Sequence, residues 1–137
     1  VVTGNPPKKL IIKSNTSELT NVEEFVNQLF EECCIPHKYF NKVFLCVSEA
    51  VVNSIEHGNK NDANKEISIF ADCALESVYV KISDEGTGFN LDEVIDPTIQ
   101  ENIKKESGRG LYIIKSLSEQ IEYNRTENSI QFKIKCK

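Results

Sequence analysis

The sequence predicts an α/β fold, more narrowly an α+β two-layer sandwich, in which helices cover one face of a mostly antiparallel mixed sheet. Three observations carry this prediction. Two long segments place apolar residues at three- and four-residue spacing, the period of an amphipathic helix. Two pairs of short segments alternate apolar and polar residues, the period of a half-buried strand, and the links within each pair are short enough for hairpins. Helices that need to bury one stripe and hairpins that need to bury one face are most simply satisfied by packing on each other. The chain has 137 residues, which suits one domain over 1–137. Leu, Ile, Val and Phe make up 41 of these residues, enough for a core without covalent help.

The elements follow in order. Lys8–Ser14 is a short β-prone run. Thr20 and Glu23 have the spacing of a capping box, and Leu19, Val22, Val26, Leu29 and Cys33 continue as a helical stripe. Pro36 separates this helix from a second one over about Lys38–His57, whose stripe is Phe40, Val43, Phe44, Val47, Val51 and Ile55. Gly58 is expected to stop it. The period then changes to that of strands over Glu66–Asp72 and Ser77–Asp84, joined as a hairpin. A polar stretch to Ser107 has the length of a functional lid, placed at about 90–110. Gly108, Arg109 and Gly110 open a third helix with Leu111, Ile114 and Leu117 on its buried side. Ile121–Arg125 and Ser129–Lys135 form a last hairpin, turning at Thr126, Glu127 and Asn128.

Sixteen basic residues stand against 21 acidic ones, giving a net charge of −5. That balance argues against direct nucleic-acid binding and against docking on an anionic membrane. No apolar run approaches the length of a membrane span. Met is absent even at position 1, as expected of a chain trimmed from a longer one. The five cysteines, Cys33, Cys34, Cys46, Cys73 and Cys136, are odd in number and form no C-x-x-C. Reduced thiols in a cytoplasmic protein are expected, rather than a disulfide framework or a zinc site.

Three small constellations carry chemistry. Glu49 and Asn53, four apart, share one face of the second helix. The Asn53 carboxamide oxygen is a suitable ligand for magnesium, and the Glu49 carboxylate can take a proton from an attacking hydroxyl. Asp84-Glu85-Gly86-Thr87-Gly88 ends a strand; its acid can accept from an exocyclic amine such as that of adenine, and its glycines allow close backbone approach. Ser107-Gly108-Arg109-Gly110-Leu111 sits at a predicted helix N-terminus with Ser107 as the cap, where free N–H groups and an arginine favour phosphate. No G-K-[ST] follows, so it is not a Walker A loop.

Together and in this order, E-A-V-V-N-S-I-E-H-G-N (Glu49–Asn59), D-E-G-T-G-F (Asp84–Phe89) and S-G-R-G-L (Ser107–Leu111) resemble the N box and the two glycine boxes of the GHKL ATPase superfamily. The chain is most similar to the anti-sigma factor serine kinases of the RsbW and SpoIIAB type. The compact length, the E-H-G-N ending of the first block and the G-R-G-L-Y-I-I-K-S-L run support that subgroup. The resemblance implies a Bergerat ATP-binding fold that uses ATP and Mg2+. It assigns Glu49 as general base, Asn53 as the magnesium ligand at the phosphates, and Asp84 as the adenine-binding acid. Gly86 and Gly88 would shape the adenine pocket, and Gly108, Arg109 and Gly110 would form the lid hinge and meet the phosphates. It further implies a cytoplasmic homodimer that phosphorylates an anti-anti-sigma partner of the STAS fold and sequesters a sigma factor. A non-catalytic nucleotide-binding partner switch and a stand-alone histidine-kinase-like ATPase domain are the alternatives. His37 and His57 have the placement of surface or capping residues, not of phospho-acceptors.

Overall fold

A computed structural model describes residues 8–86, 106–124 and 126–136. Its main elements are β1 (Lys8–Lys13), α1 (Leu19–Cys33), α2 (Phe40–Asn53), β2 (Glu66–Ala74), β3 (Ser77–Asp84), α3 (Glu106–Leu117), β4 (Glu119–Asn124) and β5 (Ser129–Lys135). Most of the expected lid, and Gly88, lie outside the described residues.

The strands form one five-stranded sheet in the order β1-β2-β3-β5-β4, and every neighbouring pair is antiparallel. The mixed character expected of the sheet is therefore absent among the described residues. The 2–3 and 4–5 hairpins arise where the alternation predicts them. One face of the sheet presents Ile12, Ile67, Ile69, Val78, Val80, Ile82, Ile130, Phe132 and Ile134 to the helices, all buried. Val22, Val26 and Leu29 of α1, Val43, Val47 and Val51 of α2, and Leu111 and Ile114 of α3 close the core from the other side. Both long helical stripes are thus placed as their period requires, although Phe44 is only half-buried.

The helix ends differ from the sequence expectation. Asn15 has extended backbone and its carboxamide accepts from the Ser17 amide at 2.9 Å. It starts a 3-10 turn over Thr16–Glu18 that runs straight into α1. Thr20 is therefore already inside the helix, and the capping box at Thr20 and Glu23 does not form. An Asx-type cap five residues earlier has already satisfied the turn. Likewise α3 begins at Glu106, so Ser107 is its second residue and not its cap.

The second helix departs most. Its α-helical part ends at Asn53, and Ser54–Gly58 continue as a π-helical turn, closed by the Asn59 amide donating to the Ser54 carbonyl at 2.7 Å. Such wide turns expel one residue from the α register and often mark functional sites. The left-handed residues that reverse the chain are Lys60 and Asn61 (φ 52° and 60°), not Gly58.

The cysteine expectation is corrected. Cys33 and Cys73, 40 residues apart in sequence, are joined by a disulfide with their Cα atoms 6.4 Å apart. The last turn of α1 lies over the far end of β2, a proximity that a parity count along the chain does not contain. Cys34 is exposed as a free thiol, while Cys46 and Cys136 are buried. Burial pushes the Cys46 thiol up to about 11, against a lowering by Lys42 and with a smaller raising by Glu49. Among the described residues, no helix is long and apolar enough to cross a membrane.

Candidate functional site

The C-terminal end of α2 gathers most of the predicted residues. Glu49 is half-buried and Asn53 is 3 % exposed. The Asn53 amide nitrogen donates to the Glu49 carbonyl at 2.9 Å, which fixes the carboxamide plane and directs its other end, Oδ1, away from that bond. The start of α3 packs on this face. A Cβ placed on Gly110 would lie 2.6 Å from Glu49 Oε2 and 3.1 Å from Asn53 Nδ2. Glycine at 110 thus lets the α3 backbone meet both side chains. Gly108 and Arg109 belong to the same first turns of α3.

The second grouping surrounds Asp84, the last residue of β3. Its carboxylate accepts from the Gly86 amide at 2.8 Å and also bonds the Ser54 side chain of the π turn. Burial raises the Asp84 carboxyl above its ordinary value; these two hydrogen bonds and Lys65 oppose that shift without cancelling it.

Gly58 and Gly86 are both required by close contact. A Cβ on Gly58 would stand 2.0 Å from Asp84 Oδ2, and one on Gly86 would stand 1.5 Å from the Gly58 carbonyl oxygen. The π turn and the glycine loop are therefore interlocked backbone to backbone, with the Asp84 carboxylate seated on Gly58. Because Asn53 and Ser54 are consecutive, the carboxylate–carboxamide pair and the Asp84 grouping form one continuous wall.

Sequence reading missed three residues of this wall. Ser54 holds the Asp84 carboxylate. Asn59, 0 % exposed, accepts from the Glu85 amide at 2.8 Å and donates to the Glu66 carbonyl at 3.2 Å. Asn128, in the turn between β4 and β5, accepts from the Asp84 amide at 3.0 Å and donates from its side chain to the Gly86 carbonyl. Asn59 was legible only as part of the E-H-G-N string, and Asn128 only as a turn residue. Gly58 was read as a helix stop, but the Asp84 carboxylate is what excludes a side chain there.

The donor set suits a magnesium nucleotide. Asn53 Oδ1 and the Glu49 carboxylate are hard oxygens on one helix face. Among the described residues, no cluster of three or more His, Cys, Asp or Glu could by itself hold a metal. A magnesium ion would accordingly take one or two protein oxygens here and fill its shell with phosphate oxygens and water, as it usually does. Asp84, buried and held from behind by Ser54 and Gly86, has the character of an acceptor for one specific donor.

Comparison with known proteins agrees. The family model described as "Histidine kinase-like ATPase domain" matches residues 12–134. The chain is 30% identical over 83 residues to "Serine-protein kinase RsbW" of Bacillus subtilis (strain 168), covering 56% of this chain and 52% of that protein. It is 36% identical over 78 residues to "Anti-sigma F factor" of Shouchella clausii (56% and 53% covered). It is 37% identical over 86 residues to the protein of that name in Bacillus cytotoxicus (60% and 58%). The matches span just over half the length of these relatives. Among solved structures, part of the chain holding the RsbU and RsbW domains of Rv1364c from Mycobacterium tuberculosis shares the fold, with a TM-score of 0.59 at 16% identity over 95% of this chain and 32% of that one. With the family model covering nearly every described element, the chain belongs to the histidine kinase-like ATPase domain family.

Proposed function

We propose that this chain is an ATP-dependent serine protein kinase and anti-sigma regulatory factor, which phosphorylates a STAS-domain anti-anti-sigma partner and sequesters a sigma factor. The observation that carries this reading is the meeting of Glu49, Asn53 and Gly110 on one wall with the buried Asp84. The names of the relatives support the choice of partners. The reading places the protein in the cytoplasm as a homodimer, with 1–137 as one domain and a lid at about 90–110.

Phosphoryl transfer asks a protein mainly for positioning and for charge stabilisation. Asp84 accepts from the adenine amino group, and Gly86 with Gly88 shapes the pocket around the base. Asn53 would hold magnesium through its carboxamide oxygen, and the ion would supply charge neutralisation at the phosphates. Gly108, Arg109 and Gly110, in the first turns of α3, meet the phosphates, with the glycines allowing close backbone approach and the arginine supplying positive charge. Glu49 takes the proton of the attacking serine hydroxyl, and its half-buried position beside Asn53 keeps it at the same face as the metal ligand.

Glu49→Ala should bind ATP normally yet lose transfer to a STAS partner by about 100-fold or more, the range of a general base. Asn53→Ala should lose magnesium-dependent ATP binding. Radiolabelled ATP with candidate STAS proteins checks both, and an acid-stable phosphoserine product is expected. Transfer by Glu49→Ala at the wild-type rate would remove the base assignment. An acid-labile product would favour action on a separate histidine-bearing acceptor.

A further inference from the structure

The β2–β3 ladder stops in an unusual way beside Asp84. Its last pair is Ile67 with Asp84, and the same register would next set Glu66 opposite Glu85. That rung is not made by the two backbones. The Asn59 carboxamide stands in it, donating from Nδ2 to the Glu66 carbonyl at 3.2 Å and accepting at Oδ1 from the Glu85 amide at 2.8 Å. The other half of the rung is also replaced, since the Glu66 amide donates to the Glu85 carboxylate. A side-chain amide has the same donor and acceptor as a peptide group, so it can join two strand ends while keeping them an amide's width apart. Asn59 itself is fixed from behind, with its backbone amide on the Ser54 carbonyl and its side chain fully buried.

We propose that Asn59 is a positioning residue for base selection: its carboxamide is a wedge that ends the β2–β3 ladder and turns the chain after Asp84, so that the Asp84 carboxylate faces the nucleotide base. The inference rests on the proposed role of Asp84 toward adenine. Without the polar atoms of the wedge, the Glu85 amide and the Glu66 carbonyl lose their partners, and the chain after Asp84 is released. Release of this segment carries Gly86 away from the Gly58 carbonyl and lets the Asp84 carboxylate rotate off its seat on Gly58. Only asparagine has both polar atoms at this reach. Aspartate keeps the acceptor for Glu85 but loses the donor for Glu66, and leucine keeps the volume and loses both.

The test uses the full chain as Asn59→Leu and Asn59→Asp. Four measurements are made: cooperative thermal unfolding, ATP affinity, the ratio of ATP to GTP affinity, and amide hydrogen exchange at Glu85 compared with Val80 and Ile82. Both variants should unfold cooperatively with Val80 and Ile82 still protected. The ATP-to-GTP preference should fall about tenfold or more in Asn59→Leu, because a site that reads one hydrogen-bonding group loses discrimination when its partner is turned away. Asn59→Asp should fall between the leucine variant and wild type, and protection at Glu85 should drop only in the leucine variant. Folded variants with an unchanged ATP-to-GTP ratio overturn the proposal. So does an equal weakening toward both nucleotides, which marks a purely structural role. Asp84→Asn in the otherwise native chain separates the two readings. If that variant keeps the wild-type base preference, the adenine role of Asp84 fails, while Glu85 exchange in Asn59→Leu still reports whether the wedge exists.

Discussion

At one end of the sheet, the C-terminus of α1 is tied to β2 by a covalent bond between Cys33 and Cys73. At the other end, the start of β2 and the end of β3 are held by the Asn59 carboxamide, the Glu85 carboxylate, the Asn128 side chain and two glycines with no room for a Cβ. The strand β2 spans both, from Glu66 to Ala74, so the two ends lie roughly 23 Å apart by strand rise from residue 66 to 73. A disulfide fixes position without regard to what faces it. Hydrogen bonds fix orientation as well as position, and the end that carries Asp84 needs orientation. The two ends should therefore fail differently when disturbed.

The largest effect is expected at the covalent end. Replacing Cys33 and Cys73 together by serine opens a loop closed across 40 residues. Chain entropy puts the stabilisation from such a closure at about 4 kcal/mol. The melting temperature should fall by about 14 °C for a chain of this size. Wild-type protein in excess dithiol should melt like the double variant. ATP affinity, measured well below either transition, should not change in either case. A matching loss of ATP affinity would show that the two ends are coupled, and would break the comparison.

The difference between the ends also explains what the sequence made legible. Periodicity reports contacts between elements and solvent, so the stripes of α1 and α2 and the alternation of β2, β3 and β5 were readable from Val22, Val43, Ile67 and their repeats. The boxes marked Glu49, Asn53, Asp84 and Gly110 because three such blocks in this order resemble those of a known family, although each block alone is a weak signal. Neither signal encodes which distant groups touch. Cys33 and Cys73 each look like small apolar residues until the helix end is laid over the strand end. Asn59 and Asn128 look like loop residues, and only the folded chain brings the Asp84–Gly86 segment between them. The π turn was hidden for a related reason: its residues continue the helical stripe through Ile55, and only the Ser54–Asn59 hydrogen bond shows the wider register.

An intermediate effect is expected at Asp84, and it should appear in binding more than in stability. Burial raises its carboxyl above the reference value of 3.8. The folded state therefore holds the proton more tightly than the unfolded chain. As pH rises from 3.8 through the folded value, ionisation of Asp84 removes stability from the fold, opposite to a salt-bridged aspartate. Under the proposed adenine role of Asp84, binding runs the other way, because the amino group needs an ionised acceptor. ATP affinity should fall on acidification, starting at a higher pH than an ordinary aspartate would give. Asp84→Asn should bind ATP more weakly and lose this part of the pH dependence. Titration of ATP affinity from neutral pH downward in both proteins checks the pair of expectations. An Asp84→Asn protein with the wild-type pH profile would assign the dependence to another group.

The smallest effect on stability, and the sharpest on chemistry, is expected from Gly110→Ala. Alanine in place of a helix-interior glycine favours the helix by about 0.5–1 kcal/mol. Its methyl group would stand 2.6 Å from Glu49 Oε2 and 3.1 Å from Asn53 Nδ2, closer than packed atoms tolerate. Oε2 is the far end of a flexible side chain, so Glu49 can swing aside at little energetic cost. Asn53 is less free, because its amide is bonded to the Glu49 carbonyl. The two terms nearly offset, and net stability should stay within about 1 kcal/mol of wild type. The carboxylate, however, is displaced from the place where it would meet the attacking hydroxyl. Transfer at saturating ATP should fall about tenfold or more, beyond any weakening of ATP affinity from the added methyl beside the phosphates, since misplacement of a reacting group costs rate as well as binding. Thermal melting, ATP titration and single-turnover transfer on the same preparation separate these quantities. A variant that melts near wild type, binds ATP and transfers phosphate at full rate would mean that Glu49 does not act from the position it holds against α3.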